Sequence, residues 1–415
     1  MSENKKVQCS FCGKKIDKEK IKTEEELVFL GTDPGTVICK NCVDACVDIM
    51  KNTKPKAVKE DMGDITPKKI KSQLDEWIIG QEDAKKTLAI ALYNHYKRLN
   101  QSEDDKLTIE KSNVLLVGST GSGKTASVKA LSKAMDLPLV IEDVTSISST
   151  GYVGRDTEDI LKNLLAAADN DLERAQKGIV LLDEGDKLRR EKNGNGARDV
   201  KGEGVQQGLL KIVEGGVFDI KTKTGVIKFD TTNVLFILSG AFEGIEKVIE
   251  KRLKSNEKSS SIGFTGKVDT RKDSQKYNDL IVQVKHEDLK NFGMMPELLG
   301  RFPVVTALQE LSEETLVEIL TKPNNAVIKQ FQKSFGMDNI ELSFSEKALF
   351  KIAKEAKARK IGARALRSIV EDILKEPMFE APGEKTIHAV VIDDNLKVNY
   401  VCQTEIDDIE IQEEQ

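Results

Sequence analysis

Gly118-Ser119-Thr120-Gly121-Ser122-Gly123-Lys124-Thr125 follows an apolar run, Asn113 to Val117, and precedes a helical run, Ala126 to Met135. That context, a buried strand feeding a glycine-rich loop and then a helix, is what a phosphate-binding loop requires. Gly121 and Gly123 let the backbone curl until successive N–H groups face phosphate oxygens, and the next helix presents its positive end. Lys124 is expected to reach the β- and γ-phosphates and Thr125 to ligate Mg²⁺, which gives Ser119, Thr120, Gly121, Ser122, Gly123, Lys124, Thr125 and Ala126 as the ATP-contacting set. An ordinary Gly/Ser turn shares the composition but not the whole pattern in this setting.

A second apolar run, Ile179 to Leu182, ends in Asp183 and Glu184. Paired carboxylates at a strand end can hold a metal through water and polarise a water beside it. Asp183 is assigned to Mg²⁺ and Glu184 to the attacking water as general base. Further short runs, Leu139 to Ile141 and Val234 to Leu238, alternate with helical stretches such as Gln81 to Leu99, which predicts a mostly parallel sheet covered on both faces. After Pro303 strands are expected largely to stop, and amphipathic helices follow over Glu313 to Leu320, Asn325 to Phe335, Glu346 to Ala358 and Ala363 to Leu374.

With 415 residues the chain exceeds one core, and several domains are expected. They are a cysteine-bearing head at 1–50, a linker at 51–64, an α/β part at 65–310, a helical part at 311–400 and an acidic tail at 401–415. Charged residues reach 32%, but 64 Lys and Arg nearly cancel 69 Asp and Glu, and a net charge of -5 speaks against a general nucleic-acid binder. Met1 to Ser10 has no apolar signal region and no run suits a membrane span, so a cytoplasmic chain without nucleic-acid or membrane partners is expected. Five of the six cysteines lie between Cys9 and Cys46. Cys9, Cys12, Cys39 and Cys42 form two close pairs, the ligand set of a closed, structural Zn²⁺ site. Cys46 reads as a packed thiol.

Taken in order, these motifs resemble those of the ClpX family over about residues 7 to 400. The likeness rests on the cysteine pairs, Ile79-Gly-Gln-Glu-Asp-Ala-Lys-Lys86, the phosphate loop, Gly151-Tyr-Val-Gly154, Gly202-Glu-Gly-Val-Gln-Gln207, Ile262-Gly-Phe264, Gly300-Arg301 and Gly362-Ala-Arg364. It implies an α/β AAA+ P-loop ATPase with a helical small subdomain and an N-terminal treble-clef-like zinc-binding domain. The activity implied is ATP-dependent unfolding and translocation of unfolded or tagged proteins, sometimes brought by adaptors, by a homohexamer that feeds the ClpP peptidase. A ClpP-independent remodelling chaperone is the second reading. The resemblance gives Arg301 the part of an arginine completing a neighbour's ATP site and Arg364 that of a nucleotide-sensing arginine. It also puts Ile79, beside Ile78, at the adenine.

Tyr152 and Val153, between two glycines, would line the pore and grip a polypeptide by bulk. Asn193 to Arg198 resembles a second pore loop. Ile262, Gly263 and Phe264 interrupt a polar segment and resemble the triplet that enters clefts of ClpP. Four departures from the family pattern stand out: Ser119 for the usual proline, Arg155 for glutamate, Gly185 for a branched apolar residue, and no Arg-Lys-His motif near Lys221 to Lys228. Gly185 is expected to loosen the strand end that carries Glu184 and so to slow hydrolysis.

Overall fold

The computed structural model describes residues 6–17, 28–30, 36–52, 65–101, 107, 109–147, 157–189, 200–222, 225–258, 273–384 and 386–402. Two compact units divide at Asp64 and Ile65. In the first, β1 (Lys6–Gln8) pairs antiparallel with β2 (Lys15–Asp17), and β3 (Val28–Leu30) with β4 (Val37–Cys39), which runs directly into α1 (Lys40–Asn52).

The second unit opens with α2 (Pro67–Asp75) and α3 (Glu82–Leu99). Thr66 caps α2 by accepting from Lys69 N at 3.2 Å, and Pro67 supplies its fixed φ at the first position. Then come β5 (Val114–Gly118), α4 (Lys124–Ala134), β6 (Leu139–Asp143), α5 (Thr157–Ala167), α6 (Leu172–Gln176) and β7 (Ile179–Asp183). After α7 (Val200–Glu214) an antiparallel hairpin, β8 (Val217–Thr222) with β9 (Gly225–Asp230), leads to β10 (Leu235–Gly240). Next are α8 (Ile245–Lys258), α9 (Asp273–Ile281), α10 (His286–Phe292), α11 (Pro296–Leu299) and β11 (Val304–Leu308).

The main sheet has the order β11-β5-β10-β7-β6, every neighbour parallel. Alternate residues of its central strands supply two cores. Leu115, Val117, Val180, Leu182, Phe236 and Leu238 face one, and Val114, Leu116, Ile179, Leu181, Leu235 and Ile237 face the other. A period of two with both faces covered turns these strands into continuous apolar runs.

Beyond it lie α12 (Glu313–Thr321), α13 (Val327–Met337), β12 (Glu341–Phe344), α14 (Glu346–Ala358), α15 (Arg364–Glu380), β13 (Ile387–Ile392) and β14 (Val398–Cys402). The four expected helices are there, α15 running six residues past Leu374. The expectation that strands largely stop after Pro303 is corrected. β11 is an edge of the main sheet, and β12-β13-β14 is a small sheet packed with the helices around Leu342, Val390 and Ile392. Among the described residues no helix is long and apolar enough to cross a membrane.

Candidate nucleotide site and cysteine cluster

The carboxyl ends of β5, β7, β10 and β11 meet at one edge of the sheet, where open α/β folds gather their ligand-binding groups. Gly118 ends β5, and Gly121 (φ 77°) and Gly123 (φ 105°) then take left-handed conformations that turn the chain into α4. Ser122 N donates to Ser119 O at 3.2 Å and Ser127 N to Gly123 O at 2.8 Å, which fixes the loop. Thr120 is exposed on it, Lys124 and Thr125 begin the helix, and Ala126 follows them, exposed. Lys124 Nζ, with the residue 9% exposed, donates to the carbonyls of Gly118 at 2.7 Å and Ser119 at 3.0 Å. Burial pushes its ammonium below the usual lysine range; Asp183 opposes that shift and Arg364 adds to it.

Asp183 joins two strands and a helix. Its Oδ2 accepts from Thr125 Oγ1 at 3.0 Å and its Oδ1 from Ser239 Oγ at 2.5 Å, with Ser239 fully buried at the end of β10. A hydroxyl and a carboxylate oxygen 3.0 Å apart at a helix N-terminus form a hard oxygen set of the kind Mg²⁺ takes beside a phosphate. Ser122 Oγ is buried without a partner at the same loop, a polar atom that a nucleotide phosphate suits. The residues present fit both groups.

Glu184 follows in a left-handed conformation, φ 58°, sparsely populated for a residue with a side chain and typical of functional sites. Gly185 is not a loosened joint. It is buried, and a Cβ there would lie 2.5 Å from Leu238 Cδ1 and 2.9 Å from Cγ, so glycine lets the turn Gly185–Leu188 press onto β10. Asp186 Oδ1 then accepts from Ala241 N at 3.0 Å, fastening this turn a second time. The expected slowing has no basis in the packing.

Ile78 is buried in the core, while Ile79 stays half-buried in the turn between α2 and α3. Lys85, 2% exposed, holds that turn by donating to Ile78 O at 3.3 Å and pairing with Asp75 and with Glu82 at 2.7 Å. The far wall comes from the other side of β11. Ala363 N donates to Gly121 O at 3.2 Å, and Gly362 (φ 58°) abuts Gly121. A Cβ on Gly121 would lie 2.1 Å from Ile361 O, and one on Gly362 would lie 2.7 Å from Gly121 O. Arg364, at the start of α15, thereby reaches the surroundings of Lys124.

Arg301 stands apart. It precedes the amino end of β11, so a strand of five residues, roughly 16 Å at 3.3 Å per residue, separates it from its own phosphate loop. Its carbonyl accepts from Asn113 Nδ2 at 2.9 Å and its guanidinium pairs with Glu214 at the end of α7.

Residues 109–305 match the AAA domain (Cdc48 subfamily), and residues 311–392 match the C-terminal, D2-small domain of ClpB protein. Over 410 residues the chain is 44% identical to the ATP-dependent Clp protease ATP-binding subunit ClpX of Treponema denticola, covering 96% of this chain and 95% of that protein. The chain belongs to the ClpX family. It is therefore an AAA+ ATPase, and the phosphate loop, with Asp183 and Glu184 beside it and Gly362-Ala363-Arg364 packed against it, is its candidate nucleotide site.

The site residues read from sequence leave out Ser239, Gln81 and Asn278. A serine at a strand end is ordinary in sequence, and only the register of β10 beside β7 brings Ser239 to Asp183. Gln81 lies inside a family motif, but its reach to Gln309 crosses 228 positions. Tyr152, Val153, Arg155, Asn193 to Arg198, and Ile262, Gly263 and Phe264 lie outside the described residues, as does most of the linker.

Cys9 and Cys12 flank the turn after β1, Cys39 ends β4 and Cys42 stands in the first turn of α1. Cys9 Sγ is 3.9 Å from Cys42 Sγ, Cys12 Sγ is 3.7 Å from Cys39 Sγ, and all four sulfurs lie within 4.8 Å of one another. Tetrahedral Zn²⁺ with bonds of roughly 2.3 Å sets sulfurs about 3.8 Å apart, so the donor set fits that ion. The backbone amides of Cys12 and Cys39 lower the Cys9 thiol to about 6, whereas hydrogen bonding to Cys12 and Cys39 pushes Cys42 up. Gathered thiols resist losing all their protons unless a cation offsets the charge.

Proposed function

We propose that the chain is an ATP-driven protein unfoldase and translocase that works in the cytoplasm as a ring of six and delivers unfolded or tagged proteins to a ClpP peptidase. The observation that carries this reading is the separation of Arg301 from its own phosphate loop by the length of β11. An arginine so remote serves a site on another protomer, which makes hydrolysis an event between neighbours. Such arginines stabilise charge on the transferred phosphoryl group and contribute roughly 10³ to 10⁵ in rate in other nucleotide hydrolases. The relative's name couples ATP binding to a Clp protease, and the reading extends that role to this chain.

Within one protomer Lys124 and the backbone amides from Ser119 to Ala126 hold the phosphates, and Ile79 lies against the adenine. Thr125 and Asp183, steadied by Ser239, hold Mg²⁺, which when bound neutralises phosphate charge. Glu184 orients water and takes its proton, while Arg364 reports the nucleotide to the small subdomain. Residues 65–310 and 311–400 form the two parts of the motor. The zinc head at 1–50, held by Cys9, Cys12, Cys39 and Cys42, meets adaptors beyond the 51–64 linker, and 401–415 is an acidic tail.

With ATP, the full chain is expected to quench a tagged fluorescent protein by unfolding it. Tyr152→Ala is expected to lose most of that rate while still hydrolysing ATP, because the grip and the chemistry are separate. No unfolding by the parent at saturating ATP would sink the proposal. With a ClpP partner present, Phe264→Ala should retain unfolding and lose degradation of the same substrate; degradation at the parental rate would reject the docking role and favour a ClpP-independent remodelling chaperone.

A further inference from the structure

Gln309 and Glu310 are the first residues after β11 and lead the chain towards α12. Each is gripped in the same manner. Gln81 Nε2 donates to Gln309 O at 2.8 Å, and Gln81 Oε1 accepts from Gln309 N at 2.9 Å. One residue on, Asn278 Nδ2 donates to Glu310 O at 3.2 Å, and Asn278 Oδ1 accepts from Glu310 N at 2.7 Å. A primary amide offers a donor and an acceptor in one plane, so each reciprocal pair replaces the strand neighbour that the chain loses where β11 ends. Two such grips on consecutive peptides fix both faces of the connection.

The first grip is also tied to the phosphate loop. Gln81 Nε2 makes a second bond, to Ser122 O at 3.2 Å. Tyr277, which precedes Asn278 on α9, is a phenol that burial pushes up and that the Ser119 backbone draws back down. Gln81 keeps a left-handed backbone, φ 58°, a conformation that persists where the surroundings over-determine it.

We propose that Gln81 and Asn278 are positioning residues that clamp the Gln309–Glu310 hinge to the phosphate loop, so that Arg364 is held over the nucleotide during turnover. The small subdomain is then attached at two points, the clamped hinge and the contact of Gly362 with Gly121. Releasing the hinge lets Arg364 drift. The inference deepens the nucleotide-site reading and rests on it.

The test uses the full chain, with Asn278→Ala, Gln81→Gly, which suits the left-handed backbone, and the double variant. The two hydrogen bonds lost in Asn278→Ala and the three lost in Gln81→Gly correspond to a fall of about tenfold or more in kcat for ATP in each single variant, with a smaller change in KM. Hydrogen exchange of the Gln309 and Glu310 amides should quicken by about tenfold in the matching variant. Asn278→Asp keeps the acceptor and loses the donor, so the Glu310 amide should stay protected and kcat should recover part of the loss. Parental kcat in the double variant, or unchanged exchange at both amides, overturns the clamp. A parent chain that hydrolyses no ATP overturns the nucleotide-site reading instead, and the exchange measurement then decides the clamp by itself. If Gln81→Gly fails to fold, Asn278→Ala and Asn278→Asp decide the clamp by the same two measurements.

Discussion

Glu184→Gln is expected to bind ATP about as tightly as the parent and to lose at least roughly 10²-fold in turnover, the usual contribution of a positioned general base. The substitution keeps the shape of the side chain and the left-handed backbone at φ 58°, so the strain at this position is unchanged. What it removes is the carboxylate to which the proposed function gives the proton of the attacking water. Thr125, Asp183 and Ser239 remain bonded to one another, which is why binding should survive. Steady-state phosphate release and a fluorescent-nucleotide titration check the two halves of this expectation. A variant that still turns over at the parental rate would refute the assignment of Glu184.

Gly121→Ala should be nearly as damaging for a different reason. The added methyl would sit 2.1 Å from Ile361 O and 2.8 Å from Gly362 Cα, atoms of backbone that cannot rotate aside. Either the phosphate loop or the segment bearing Arg364 must shift, and a displacement of about 1 Å in a catalytic site can cost on the order of 10²-fold in rate. Gly123→Ala provides the control. Its backbone is also left-handed, φ 105°, yet nothing lies within 4 Å of the added carbon. Within the protein that variant adds backbone strain and no clash, about 1–2 kcal/mol. ATPase rates measured in parallel should therefore fall much further for position 121 than for position 123; equal losses would mean that the contact with Gly362 does not matter.

How much of this is legible in the sequence follows from how local each feature is. The phosphate loop and Asp183-Glu184 are contiguous, and their chemistry is written in residue order. The cysteine pairs are as plain, because CxxC spacing sets two sulfurs on one turn wherever the partner pair comes from. Ser239, Gln81 and Asn278 act across 56, 228 and 32 positions, through the register of parallel strands and the return of the chain past β11. No periodicity encodes those meetings. β11 escapes a reading by pattern because Val304 to Leu308 is five residues behind a proline, and β12 to β14 escape it because short strands among helices leave little alternation to read. Gly185 misleads for a related reason: a glycine looks like slack in one dimension, whereas Leu238 fills the space beside it in three.

β5 carries Gly118 at one end, and just before its other end Asn113 grips the Arg301 carbonyl. All five of its residues are buried, with strands on both sides, so it has no freedom to bend. Gly118 and the Arg301 backbone are thus tied to the two ends of one stiff rod, and neither can be displaced along the strand axis without loading the other.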